Sequence, residues 1–425
     1  MLPTFRPSQR AQLASGQPIG ELMSMALANP NLISLAAGFV DQTTLPVDVT
    51  REALDSLLAD EGLARVALQY GTTAGHFLLR EQLVERLQAA DRQPDSEKNI
   101  SVQQMVVTAG SNELLFLLAD VLCDPGDIVL CAAPTYFVFL GALANQGIRA
   151  VGVAGDCQGI IPEAIEAELE RIEAAGELDR VRAIYVTTSF DNPGTSTLAA
   201  KRRPQLVEIA QRWSRRQTIH IIEDAAYRDL RYDGDDIPSL RAFDESGETV
   251  ILTGTFSKCY SPGVRVGWGL LPPALVEPVL DVKTNINFGS SNFAQHLVSK
   301  VLELDLLEDH ISRLREQYRI KRDAMLIALH EHLAQMPGAT WTRPDGGLYV
   351  WLTLPDMIDA GPLGQLLKRC VAEGVLYVPG EYSYPREGAA VRHNTIRLSF
   401  GDQSPERIGQ GIAGLARAVQ QVLQR

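Results

Sequence analysis

Thr255-Phe256-Ser257-Lys258-Cys259-Tyr260-Ser261-Pro262-Gly263-Val264-Arg265-Val266-Gly267 follows a short apolar run, 250–253, that reads as a strand. A lysine just past a strand, set among small residues with an arginine seven positions later, suits an anchored phosphorylated aldehyde. The amine attacks the aldehyde and is regenerated in each turnover, while the nearby cation and hydroxyls take the phosphate. The same pattern also describes an ordinary surface lysine, so its meaning depends on its neighbours.

Upstream lies Ile221-Ile222-Glu223-Asp224-Ala225-Ala226-Tyr227, an apolar strand ending in an acid, with an aromatic three residues on. A carboxylate at a buried strand end is costly unless it meets a cation. A pyridinium nitrogen is such a cation, and keeping it protonated makes the ring an electron sink; the plainer alternative is an aspartate capping the next helix. Asp191-Asn192-Pro193-Gly194-Thr195 also follows a strand, so Asn192 either donates to a phenolate oxygen or simply makes an Asn-Pro turn. Thr108-Ala109-Gly110-Ser111-Asn112-Glu113 runs from a strand through glycine into a helix, where free N–H groups favour an anion. Tyr136, in Pro134-Thr135-Tyr136, stands where it stacks on a flat ring or fills the core.

These pieces sit in a regular alternation. The spacing of Leu79, Leu83, Val84 and Leu87 predicts a helix. Strands are predicted over 105–108, 128–131, 148–153, 181–187, 219–223 and 250–253, with helices over 113–122, 136–145, 163–174 and 199–212 between them. Short apolar strands alternating with helices imply an α/β fold, a mostly parallel sheet covered on both faces in three layers. In such sheets ligands bind where the strand ends converge. Beyond residue 305 the pattern changes to a long helix over 306–333, strands over 349–354 and 395–400, and helices over 364–373 and 406–423, a smaller α+β unit. A chain of 425 residues exceeds a single core, and three parts are expected: an N-terminal arm, 1–50, packing with the small domain; a large domain, 51–305; and a small C-terminal domain, 306–425.

A net charge of −13 repels phosphate backbones and argues against nucleic acid. The densest basic run, Lys201-Arg202-Arg203, reads as a solvated face. Apolar residues at 45% and charged residues at 21% describe a soluble globular protein. No apolar run reaches membrane-spanning length, and the polar start 1–20 has no signal-peptide core. The five cysteines form no CxxC pair, which excludes a zinc site or disulfide framework and fits a cytoplasmic location.

In their order these motifs resemble the fold-type I pyridoxal-phosphate enzymes and, within them, the class I/II aminotransferases. The resemblance runs from Ser34-Leu35-Ala36-Ala37-Gly38 and Leu68-Gln69-Tyr70-Gly71 through the motifs above to Arg397 in the last unit. It implies that Lys258 holds pyridoxal 5′-phosphate as a Schiff base and later shuttles a proton. It implies further that Asp224 pairs with the ring nitrogen, that Asn192 and Tyr227 bond the ring oxygen, and that Tyr136 stacks on the ring. Ser111, Asn112, Ser257 and Arg265 are then the phosphate ligands, with Tyr70 reaching the phosphate of a neighbouring subunit in a homodimer. Arg397 would grip the substrate α-carboxylate bidentately, helped by backbone near Gly38. Two departures stand out: Asn192-Pro193-Gly194-Thr195 replaces the usual Asn-Pro-x-Gly, and Asn112 stands where glutamine or alanine is commoner. Arg343-Pro344-Asp345-Gly346-Gly347-Leu348-Tyr349 resembles a small-domain hairpin and reads as structural.

The activity so implied is ping-pong transfer of an amino group from an L-amino acid to a 2-oxo acid. The pattern looks closest to the branch using aromatic, branched-chain or 2-aminoadipate donors, with a valine–pyruvate type also in view. β-Elimination or related carbanion chemistry on the same scaffold is the alternative. A cofactor-sensing regulator is disfavoured by the charge and by a motif pattern that starts near residue 34.

Overall fold

The computed structural model describes residues 5–14, 20, 24, 29, 31–92 and 100–424. Its largest sheet is built from β1 (Met105–Thr108), β2 (Ile128–Ala133), β3 (Arg149–Asp156), β4 (Val181–Thr187), β5 (His220–Asp224), β6 (Val250–Thr255) and β7 (Gly267–Leu270). The order across the sheet is β3-β2-β4-β5-β6-β7-β1, with the two-residue strand Glu387–Gly388 added beside β3. All these neighbours pair in parallel except β7, which runs against both β6 and β1.

Side chains on a strand alternate between faces, and both faces here are apolar. Ile184 and Ile221 pack with Ile165, Leu169, Leu206 and Ile209 from helices Pro162–Ala174 and Arg202–Trp213. Their sequence neighbours Tyr185 and Ile222 pack the other way, with Leu114, Leu118 and Phe139 from helices Ser111–Leu122 and Phe137–Asn145. Every residue of β4 except Arg182 is buried, as befits a central parallel strand.

A second sheet, antiparallel in the order Thr340–Trp341, Tyr349–Thr353, Thr395–Ser399, Val378–Pro379, shares a core with helices Leu306–Leu333 and Pro405–Leu423. Ile33–Ser34 pairs with Val375–Leu376, which ties the start of the chain to this region. No helix among the described residues is long and apolar enough to cross a membrane.

Strand β7, helices Pro273–Asn287 and Asn292–Glu303, and the Glu387–Gly388 edge strand are not among the expected elements. Gly267-Trp268-Gly269-Leu270 lacks an apolar run, and its strand form comes from pairing on both sides.

One expectation is corrected. Of Lys201-Arg202-Arg203 only Lys201 is solvated. Arg202 pairs with Asp156 at 2.6 Å. Arg203 is 1% exposed and donates to the carbonyls of Thr188, Leu198 and Pro238 at 3.1, 3.2 and 2.6 Å. Its guanidinium lies 3.9 Å from the equally buried Glu223, whose carboxylate also accepts from Thr188 Oγ1 and the Leu240 amide, both at 2.8 Å. Burial pushes the Glu223 carboxyl up, and Arg203 opposes this. Arg203→Met leaves that carboxylate buried without its cation, and we expect a loss of about 3 kcal/mol, read as a lower denaturant midpoint at unchanged slope.

Candidate functional site

Parallel strands deliver their C-terminal ends to one edge of the sheet. Thr187 at the end of β4 is level with Asp224 at the end of β5, and Asp224 with Thr253 in β6. The loops leaving these ends wall a half-open cavity. Its lining includes Ser111, Asn112, Tyr136, Asn192, Asp224, Tyr227, Ser257, Lys258 and Arg265.

Asp224 is 5% exposed. Its Oδ2 accepts from Tyr185 Oη at 2.9 Å and its Oδ1 from the Ala226 amide at 3.0 Å. The amide bond is the capping contact weighed from the sequence, but it closes a turn over 226–229 rather than opening a helix. Burial raises the Asp224 pKa while the two donors pull it down. Both donors are neutral, and among the described residues no cation pairs with this carboxylate.

Lys258 Nζ donates to the Gly38 carbonyl at 2.7 Å. Burial holds its pKa below the usual lysine value, aided by the positive charges of Arg397 and Arg265 and opposed by Tyr349. Next to Ser111, Gly110 has φ +82°, a backbone turn that glycine makes at little cost. It starts the Ser111–Leu122 helix with no side-chain cap, so the Ser111 and Asn112 amides have no intrahelical acceptor. Arg265 approaches this turn, donating to Ala109 O at 3.2 Å and to Ser257 Oγ at 3.5 Å. Free amides, a hydroxyl and a guanidinium together make an anion cradle.

Arg397 is 2% exposed. It donates to Asn192 Oδ1 at 2.9 Å and to Ala36 O at 2.7 Å. Its guanidinium carbon lies 4.4 Å from the Tyr349 ring centre and 5.5 Å from that of Phe137, and its buried Nε has no partner. With Asn192 Oδ1 facing Arg397, Asn192 Nδ2 faces Tyr227 Oη at 3.4 Å. The altered turn after Asn192 therefore still leaves its amide between Arg397 and Tyr227. Tyr136 Oη donates to Asn112 Oδ1 at 3.3 Å. Gly38 is placed beside this group by the Lys258 contact.

Tyr70 is not in the cavity. It is 87% exposed and lines a separate surface hollow with Leu68, Phe288 and Asn292.

Two members escaped the sequence reading. Tyr185 looks like core in an apolar strand, yet its hydroxyl holds Asp224. Tyr349 was read as part of a structural hairpin; instead it is 2% exposed between Arg397, Gly38 and Tyr227, with its Oη 3.1 Å from Tyr227 Oη. No residue signal marked either one, since a tyrosine in a strand reads as packing.

A family model described as aminotransferase class I and II matches residues 30–413. The aromatic-amino-acid aminotransferase 1 of Thermococcus litoralis is 34% identical over 418 residues, covering 98% of this chain and 95% of its own. Among solved structures, the multiple substrate aminotransferase of Thermococcus profundus superposes with a TM-score of 0.89 at 33% identity, covering 99% of this chain and 98% of its own. The Pyrococcus horikoshii kynurenine aminotransferase, solved in complex with PMP, gives the same TM-score, identity and coverage.

The lowered Lys258 pKa has a kinetic signature. Only the neutral amine adds to an aldehyde, so trapping of an aldehyde on Lys258, measured by borohydride reduction across pH, should rise along a limb centred below the ordinary lysine pKa of about 10.4. A limb at the ordinary position would contradict the burial argument.

Proposed function

The chain belongs to the class I and II aminotransferases and catalyses pyridoxal-phosphate-dependent transamination, and we propose that Lys258, Asp224 and Arg397 are the three residues on which its reaction turns. The observation that carries this is Asp224, a buried carboxylate with only neutral donors, facing a cavity whose other rim is an anion cradle. A flat group with a cationic nitrogen at one end and a phosphate at the other matches those two poles. When bound, pyridoxal 5′-phosphate supplies a ring that withdraws electrons from the substrate Cα.

The protein does the rest. Lys258 would hold the cofactor covalently and, once freed, its Nζ would take the proton from the substrate Cα and return it at cofactor C4′. Burial lowers the Lys258 pKa, which favours the neutral amine that such an exchange needs. Asp224, oriented by Tyr185 and the Ala226 amide, keeps the ring nitrogen protonated. Asn192 and Tyr227 hold the ring oxygen, Tyr136 covers the ring face, and Ser111, Asn112, Ser257 and Arg265 hold the phosphate. Arg397, beside the backbone of Ala36 and Gly38, binds the substrate carboxylate.

We place the donor among aromatic L-amino acids, following the Thermococcus litoralis relative, and the acceptor among 2-oxo acids. The working unit is taken to be a homodimer. Val66, Leu68, Tyr70 and Phe288 are all exposed, an apolar patch of the kind that marks an interface, and Tyr70 would serve the partner's phosphate from it. The division into an arm (1–50), a cofactor-carrying domain (51–305) and a small domain (306–425) belongs to the same reading.

The test is a half-reaction. Protein loaded with pyridoxal 5′-phosphate should convert it to the pyridoxamine form when given phenylalanine or tyrosine alone, and a 2-oxo acid should reverse the change. Lys258→Ala should not convert it. Conversion by 2-aminoadipate or valine but not by aromatic acids would move the donor class, and release of pyruvate or carbon dioxide without the amine form would overturn transamination. Arg397→Lys loses the planar two-point grip and should cost about 1.5–3 kcal/mol, roughly 10- to 150-fold in kcat/KM.

A further inference from the structure

We propose that the Tyr349 hydroxyl is a positioning group for the cofactor: it donates to Tyr227 Oη and so directs the Tyr227 proton at the cofactor ring oxygen. The inference rests on the reading of Tyr227 as a ligand of that oxygen.

The direction of each bond follows from donor and acceptor counting. Arg397 can only donate, so the Asn192 atom it meets at 2.9 Å is the carbonyl oxygen Oδ1. The Asn192 amide is thereby fixed with Nδ2 towards Tyr227 Oη at 3.4 Å, which must accept. The remaining contact on Tyr227 Oη is Tyr349 Oη at 3.1 Å. If Tyr227 donated there, its proton would be used up inside the protein and none would face the cavity. If Tyr349 donates, Tyr227 Oη accepts twice and its own proton is left for the cavity.

The charges select the second arrangement. Burial pushes both hydroxyls up, but Tyr349 is brought below an ordinary tyrosine by Arg397, whose guanidinium lies 4.4 Å from its ring centre, by Lys258 and by its own bond with Tyr227. Tyr227 stays well above one. The more acidic hydroxyl is the donor. Tyr349 cannot swing away, since its ring is stacked against the Arg397 guanidinium at 4.4 Å and its Oη fills the space above Gly38. A Cβ on Gly38 would lie 2.6 Å from that oxygen, so the hydroxyl position and the glycine require each other.

A hydroxyl that accepts hydrogen bonds is a stronger donor in turn. Tyr349 therefore strengthens the Tyr227 bond to the ring oxygen and favours negative charge there. The ring and hydroxyl of Tyr349 have separate jobs, because stacking on Arg397 needs only the ring.

Tyr349→Phe separates them. The readout is the pH midpoint of the visible absorbance of the bound cofactor, with no substrate present. Loss of the Tyr349 hydroxyl leaves the ring oxygen more basic, so the midpoint should rise by about 0.5 pH unit, while Tyr349→Phe keeps the KM for the amino acid within about twofold because the stack on Arg397 remains. In a Tyr227→Phe background the same substitution should shift nothing further. An unchanged midpoint in the single variant, a shift that persists without the Tyr227 hydroxyl, or a fall in the midpoint each overturns the proposal; a thermal melt at the wild-type temperature shows that the variant is folded. If Tyr227→Phe alone leaves the midpoint where it was while Tyr349→Phe moves it, the reading of Tyr227 fails, and the proposal with it. A protein that takes up the cofactor yet gives no visible band with Lys258 intact would instead bring down the wider reading of the site.

Discussion

A carboxylate that has lost water and gained only neutral donors is an unfinished interaction, and Asp224 is in that position at the C-terminal end of a central strand. Leaving it so has a cost, which a cationic ring nitrogen would offset on the reading proposed above. The same strand shows the contrasting solution one residue earlier. Glu223 points to the opposite face and meets Arg203 inside the protein. Two consecutive acids thus serve opposite ends: one closes the fold under the helix layer, and the other is kept open for a ligand. The pleat of β5 separates them, and the register that places Asp224 level with Thr187 and Thr253 sets which of the two faces the cavity.

Around that pole the site is an arrangement of charges with little room to relax. Arg397 is gripped by Asn192 and the Ala36 carbonyl and lies between two aromatic rings. Its position fixes the Asn192 amide, which in turn constrains Tyr227. Lys258, Arg397 and Arg265 carry like charges, and burial together with the two guanidinium groups lowers the Lys258 pKa. These side chains are thus held in place by the protein itself, before any ligand arrives.

Much of this was readable in the sequence, for a physical reason. Lys258, Asp224, Asn192 and Ser111 each follow a strand at a polar or glycine-bearing turn, so a change in local composition marks the strand ends where ligands bind. Arg397 was legible only through the resemblance, since an arginine inside a strand carries no local sign of its partner. Tyr185 and Tyr349 stayed hidden because an apolar run looks the same whether a tyrosine hydroxyl is idle or bonded. Arg202 and Arg203 misled for the converse reason. A run of charges reads as solvent-facing, and only the fold shows that carbonyls at the ends of two loops converge on Arg203. Strand β7 was missed because its form depends on neighbours far away in the chain.

The return of the chain in β7 has a further consequence. Thr255 pairs with Gly267, and the ladder runs one step past the strands through the Phe256 amide and the Val266 carbonyl at 3.0 Å. The segment carrying Ser257, Lys258 and Arg265 is therefore a loop stapled at its base. Holding such a short closed loop in place adds little to the entropy lost on binding, because most of its freedom was given up when the sheet formed. On the reading proposed above, Lys258 as anchor and Arg265 as the phosphate's cation share one stiff mount, so the distance between them is a property of the sheet. A ligand of a different length between its aldehyde and its anion would find the two contacts mutually exclusive, and the hairpin acts as a ruler that selects the cofactor by size.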